Sequence, residues 1–156
     1  MIDLAIYTTA SAIFVAIIWD IFKTYFMNSN NKNLVKKAIR GEIKNNNLGL
    51  KEFKIGVEKI DGKRRVNMIL ISKGAYDSCI NSGHFILLDV ELQAQISNYY
   101  SGIVGFNFTM QSLNELLNNP DYPEILQFVE KRLNLISEMN IPELIKISTT
   151  ILENID

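Results

Sequence analysis

"LQAQISNYYSGIVGFNFTMQSLNELL", residues 92–117, is the stretch that decides the fold. Its Leu92, Ile96, Tyr99, Ile103, Phe106, Met110, Leu113 and Leu117 are spaced 4, 3, 4, 3, 4, 3, 4, which makes a heptad seam. Tyr100 and Val104 widen that seam, so the spacing predicts a helix buried in a bundle and not a bare two-stranded coil. Gly102 and Gly105 cost ~1 kcal/mol each in a helix interior and mark a kink or a close contact. Asp89 is placed to cap the helix start, with Glu91 favourable in the first turn. Asn118-Asn119-Pro120 ends it.

Downstream, Pro123 suits a first helical position, and Ile125, Val129, Leu133 and Ile136 form one inward stripe. Pro142 opens a further helix with Leu144, Ser148, Ile151 and Ile155 on one face. Short turns between these helices predict antiparallel neighbours.

Upstream, "EFKIGVEKIDGKRRVNMILIS" (52–72) changes period. Phe53, Ile55 and Val57 alternate with polar residues or glycine, Asp61-Gly62 marks a turn, and Val66, Met68 and Leu70 alternate again. That is a β-hairpin pattern, and a lone hairpin must lie against the helices to be stable. "NLVKKAIRGEIKNNN" (33–47) reads as a helix with Asn33 as N-cap and an apolar stripe of Val35, Ile39 and Ile43. The stretch between, "NSNNKN" (28–33), is polar and turn-prone.

"LAIYTTASAIFVAIIWDIF" (4–22) carries a single charge, Asp20, with Lys23 three residues on. Nineteen residues make about 28 Å of helix, close to the thickness of a bilayer core. Trp19, Tyr25 and Phe26 would form an interfacial belt. The absence of a basic n-region and of an A-x-A site disfavours a cleaved signal peptide, and the lack of a charged face disfavours an amphipathic interfacial helix; a buried core helix is a further reading. The basic flank after the segment predicts a single-pass protein of the cell membrane, N-terminus outside and C-terminal domain cytoplasmic. The expected fold is therefore mainly α: one N-terminal transmembrane helix, then a small helical bundle carrying a single β-hairpin. Its parts are an anchor (1–27) and a cytosolic domain (28–156), the latter divided into a basic helix (33–47), a hairpin (53–72) and an acidic helical bundle (75–156).

The net charge of −1 hides an asymmetry. From Lys23 to Lys73 there are thirteen Lys/Arg against four acids, net +9; from Gly74 to Asp156 there are three against eleven, net −8. The basic residues Lys36, Lys37, Arg40, Lys44, Lys63, Arg64 and Arg65 are the candidate contacts with anionic lipid head groups; an ordinary solvated face explains them equally well. The acidic helices either project away from the basic elements or fold back and pair with them.

Cys79 and His84 are the only cysteine and histidine, and they straddle a helix stop at Gly83. A nucleophilic pair needs its base within ~3 Å and a third group to orient it, and five residues across a helix end supply neither. A metal site would lack further His or Cys ligands, so no cofactor is expected. Asp77, Asp89 and Glu91 form no paired acid–base set, since a helix start already accounts for the last two. Nucleic-acid binding through Lys63, Arg64 and Arg65 lacks an aromatic or helical context.

"AYDSCINSGHFILLDVELQAQISNYYSGIVGFN" (75–107), together with the apolar N-terminal segment and "KKAIRGEIKNN", resembles a group of archaeal and bacterial single-pass membrane proteins of uncharacterised activity. The shared marks fall on Tyr76, Ser78, Ser82, Gly83, Leu87, Leu88, Tyr100 and Asn107. The resemblance spans residues 4–107 and implies a tethered helical domain but no chemistry. Two functions follow as expectations. One is a membrane-tethered interaction or scaffold module that binds another protein or itself. The other is a regulatory or sensor component holding a small ligand among Tyr99, Tyr100, Phe106 and Phe108.

Overall fold

The computed structural model describes residues 2–60, 62–67, 69, 71–118 and 124–155, with the side chains of residues 2–16 and of Ile60 left out of the description. The elements are α1 (Ile2–Glu52), a hairpin of β1 (Val57–Ile60) and β2 (Lys63–Val66), and α2 (Gly74–Asn81). A 3₁₀ turn (His84–Leu87), α3 (Val90–Leu117), α4 (Glu124–Leu135), a π turn (Ile136–Asn140) and α5 (Ile141–Asn154) follow. The protein is mainly helical with one small antiparallel hairpin.

The first finding against expectation is the length of α1. Residues 28–33 continue the helix where a turn was predicted, and Asn33 lies in mid-helix. No proline or glycine interrupts residues 2–40. Each Asn or Ser costs well under 1 kcal/mol in a helix interior, less than breaking a propagating helix and nucleating another. Membrane insertion is the second correction. Among the described residues no helix is long and apolar enough to cross a membrane. The described side chains offer the apolar run 17–22, already broken by Asp20 and closed by Lys23, about a third of the ~20 residues a span needs. The anchor and the single-pass topology are withdrawn on that finding; side chains 4–16 of the expected span lie outside the description.

From Val35 on, α1 belongs to the packed body. Val35, Ile39, Ile43 and Leu50 are buried, and α1 packs on α5, where the Ser148 hydroxyl donates to Asn47 Oδ1 at 2.6 Å. The acidic half thus folds back on the basic helix at least through this contact. In α3, the seam from Leu92 to Leu113 is buried, and Tyr100 joins it. Val104 does not, being 49% exposed. Leu117 is half-buried. Asp89 caps α3, accepting from the Leu92 N–H at 2.9 Å.

Gly102 and Gly105 separate cleanly. A Cβ at Gly102 would lie 2.7 Å from Leu144 Cδ2, so this glycine permits the close approach of α5. At Gly105 a Cβ would meet nothing within 4 Å. Gly105→Ala is therefore expected to raise stability by about 0.5–1 kcal/mol through helix propensity alone. Gly102→Ala should gain less or lose stability, because Leu144 must move. Urea unfolding of both variants checks this; equal gains would remove the close-contact reading of Gly102.

The π turn between α4 and α5 has a local cause. Pro142 has no N–H for the Glu138 carbonyl, and its ring crowds that carbonyl, which widens the turn. The roles expected of Pro120 and Pro123 fall outside the described residues.

The hairpin is shorter than its sequence pattern. Its register pairs Val57 with Val66, Glu58 with Arg65, Lys59 with Arg64 and Ile60 with Lys63, around a turn where Gly62 takes φ 78°. One further bond, from the Asn67 N–H to the Gly56 carbonyl, prolongs the pairing. Beyond it the described residues 69 and 71–73 have no strand partner. Val66 and Ile71 are buried. Met68 and Leu70, expected to face inward with Val66, lie outside the described residues.

Candidate functional site

Among the described residues that follow the hairpin, Ile71 and Ser72 have no strand partner, and asparagine side chains take its place. Asn46 of α1 donates Nδ2–H to the Ser72 carbonyl at 2.8 Å and accepts from the Ser72 N–H at 3.0 Å. Asn107 of α3 treats Ile71 the same way, at 3.1 and 3.4 Å. Asn114 accepts from the Val66 N–H at 3.2 Å. A primary amide presents the donor and acceptor of a peptide group, so the two helices hold this segment as neighbouring strands would.

Glu42 of α1 closes the same junction. One carboxylate oxygen accepts from the Ser72 hydroxyl at 2.9 Å and the Ala75 N–H at 2.8 Å. The other accepts from the Tyr100 hydroxyl at 2.6 Å and the Tyr76 N–H at 3.4 Å. The residue before α2, Lys73, contributes no side-chain cap. Glu42 caps α2 from another helix, its charge facing the positive end of the α2 dipole. Four donors occupy the four lone-pair directions of the carboxylate, leaving it no free position from which to act as a base.

Four aromatic rings wall this junction. Tyr76 stacks on Tyr100 with centroids 4.3 Å apart and meets Phe85 edge-on at 5.4 Å. Tyr99 crosses Tyr100 at 5.1 Å. Burial pushes the Tyr100 hydroxyl well above its usual range, and its hydrogen bond and proximity to Glu42 add to the rise. Burial likewise pushes Tyr99 up to about 12, with Glu42 adding and Asn46 opposing. Tyr99 Oη is buried and makes no hydrogen bond of good geometry, although Asn46 lies close enough to oppose the rise. Cys79, buried in α2, is raised by burial first and by Glu42 second, which keeps it a thiol. His84 is exposed at the start of the 3₁₀ turn.

The four rings proposed to line a ligand pocket are not brought together. Tyr99, Tyr100 and Phe106 are in the core, whereas Phe108 is 71% exposed. Gly102, Phe106 and Leu144 border a different hollow of about 190 Å³ between α3 and α5.

The basic candidates divide into two groups. Lys36, Lys37 and Arg40 line a hollow of about 210 Å³ with Asn33, beside Ile155 just past the end of α5. Lys63 and Arg64 line a cleft of about 790 Å³ together with Lys59, Gly62, Leu117 and Asn118. Lys44 and Arg65 are exposed and border neither. Lys59 was no candidate from sequence; counting outward from the Asp61-Gly62 turn pairs it with Arg64 and would have found it. Glu42 and Asn46 had no comparable signal, because their partners lie 26 to 58 residues away, and Asn107 stood out only as a mark of the resemblance.

A third feature is apolar. Ile17, Ile18, Trp19, Ile21, Phe22, Tyr25, Phe26 and Met27 of α1 are each at least half exposed. The rings of Trp19, Phe22 and Phe26 stack in sequence along this helix, with successive centroids 6.3 Å apart. Compared with family models, with curated proteins and with solved structures, the chain matches none.

Proposed function

We propose that this protein is a helical interaction module whose packed body presents the N-terminal half of α1 to a second copy of the chain. The observation that carries the reading is the uncovered run 17–27, with Trp19 65% and Tyr25 76% exposed. At ~100 Å² exposed per large side chain, the five that share one face of the helix, Ile18, Trp19, Phe22, Tyr25 and Phe26, offer about 500 Å², so two copies bury about the 1,000 Å² that a specific interface needs. A contiguous apolar patch of that size marks a contact surface. Trp19, Phe22 and Phe26 follow a 3, 4 spacing, the spacing of knobs that pack into an identical helix. The junction around Glu42 then serves the assembly by holding α1 rigidly to the body.

Analytical ultracentrifugation of the full chain is expected to give a dimer or small oligomer. Trp19→Glu combined with Phe22→Glu should convert it to monomer without changing the melting of the body. A wild-type chain that stays monomeric well above micromolar concentration would exclude self-assembly.

A further inference from the structure

The hairpin holds a charge arrangement that assembly does not use. Directly opposed residues of an antiparallel pair share one face of the sheet, and that face repeats every second residue. Val57 and Val66 form one such pair, and Val66 is buried with its N–H bonded to Asn114 of α3. The next pair on the same face is Lys59 with Arg64, two residues farther toward the turn. This pair overhangs Leu117 and Asn118 at the end of α3 and walls the cleft of about 790 Å³, with Lys63 joining from the turn.

Like charges placed directly opposite each other destabilise a hairpin. Among the described residues no carboxylate pairs with Lys59, Lys63 or Arg64. Glu58, next to Lys59 in sequence, projects from the opposite face and accepts from Asn67 at 2.8 Å, and Asp61 of the turn lies outside the described residues. The carbonyls at the α3 end carry about half a negative charge, which three cations exceed. The cleft volume falls within the range of small-molecule sites, and the half-buried Leu117 gives it an apolar wall.

We propose that this cleft binds a phosphorylated small molecule, its phosphate held between Lys59 and Arg64 with Lys63 at the rim. A guanidinium presents a planar fork that matches two phosphate oxygens, and a lysine supplies a point charge beside it. The shared chemistry is the phosphoanion, whose sources are a free phosphorylated compound or a phosphoinositide head group.

The test uses the full chain and inorganic pyrophosphate, followed by isothermal titration calorimetry. Saturable binding of one anion per chain is expected, and Arg64→Gln or Lys59→Gln should each weaken it at least ~10-fold. Lys44→Gln, away from the cleft, should leave it unchanged. Without ligand, Lys59→Gln removes the like-charge opposition and should hold or raise the melting temperature while binding falls. A second arm sediments the chain with phosphatidylcholine vesicles with and without a phosphoinositide. Sedimentation that needs the phosphoinositide and Arg64, and that pyrophosphate displaces, assigns the head group; pyrophosphate binding without sedimentation assigns the free compound. Either outcome supports the cleft. No saturable pyrophosphate binding, or equal losses in Lys44→Gln and Arg64→Gln, overturns it, as does a Lys59→Gln loss that tracks a drop in melting temperature.

Discussion

Glu42→Ala is expected to destabilise the protein by about 3–4 kcal/mol, the largest effect of any single substitution outside the apolar core. The estimate has two parts. Removing the cap of α2 costs about 1 kcal/mol, because the Ala75 and Tyr76 N–H groups lose their acceptor. Stranding the Tyr100 hydroxyl, on a side chain only 1% exposed, costs about 2–3 kcal/mol, since its hydrogen bond is to a charged group. For a chain of this length the melting temperature should fall by roughly 8–14 °C. Glu42→Gln keeps one acceptor oxygen but turns an NH₂ group toward two donors, so its loss should be large but smaller than that of the alanine variant. Tyr100→Phe separates the two parts: in that background, Glu42→Ala should cost little more than the cap. If Glu42→Ala melts within about 2 °C of the parent, the junction is not what fixes α2 and the 66–73 segment.

How far the sequence foretold this arrangement depends on which force made each element. Apolar spacing is local, and it located the buried seam of α3 and the stripe of α5, including Ser148. It failed at Val104, because the width of a buried face is set by where the neighbouring helices lie. The Asp61-Gly62 turn placed the hairpin, but the strands ended early. At Ile71 and Ser72 asparagines on α3 and α1 stand in for a strand partner, and no local pattern announces a long-range amide. The break predicted at residues 28–33 rested on turn-prone composition, which does not stop a helix already propagating.

The charge asymmetry was visible as two halves, yet the structure sorts the basic residues by geometry. Lys36, Lys37 and Arg40 lie along α1 beside the end of α5, whereas Lys63 and Arg64 converge with Lys59 over α3. Composition alone treated them as one patch. Glu42 shows the reverse case: it counted as a minority acid in a basic segment, and it joins α1 to Ser72, α2 and α3.

Alkaline pH should unfold the protein between pH 10 and 12, and the two core tyrosines account for it. A tyrosine in the unfolded chain ionises with pKa about 10, whereas Tyr99 in the fold is pushed up to about 12 and Tyr100 is pushed up further. A raised folded-state pKa means that the stabilising contribution is fully present below pH 10. It is then lost as pH climbs from 10 toward the folded value, because only the unfolded state releases the proton. Each tyrosine still protonated in the fold removes about 1.4 kcal/mol per pH unit in that window. Tyr99 alone should cost about 2.3 kcal/mol by pH 12 and Tyr100 about 2.7, which together match the low end of total stability for a small domain. Cys79, also raised by burial, adds to the loss from about pH 9. Tyr99→Phe isolates the effect. It deletes a buried hydroxyl that makes no hydrogen bond of good geometry, so stability at pH 7 should be unchanged or slightly higher, and the loss between pH 10 and 12 should shrink by about half. Urea unfolding followed by circular dichroism at pH 8 to 12, with tyrosinate absorbance at each pH, reads both quantities. Stability flat across that range, or full tyrosinate absorbance near pH 10 in a chain still folded, would show that Tyr99 and Tyr100 are open to solvent and that the core has been misplaced.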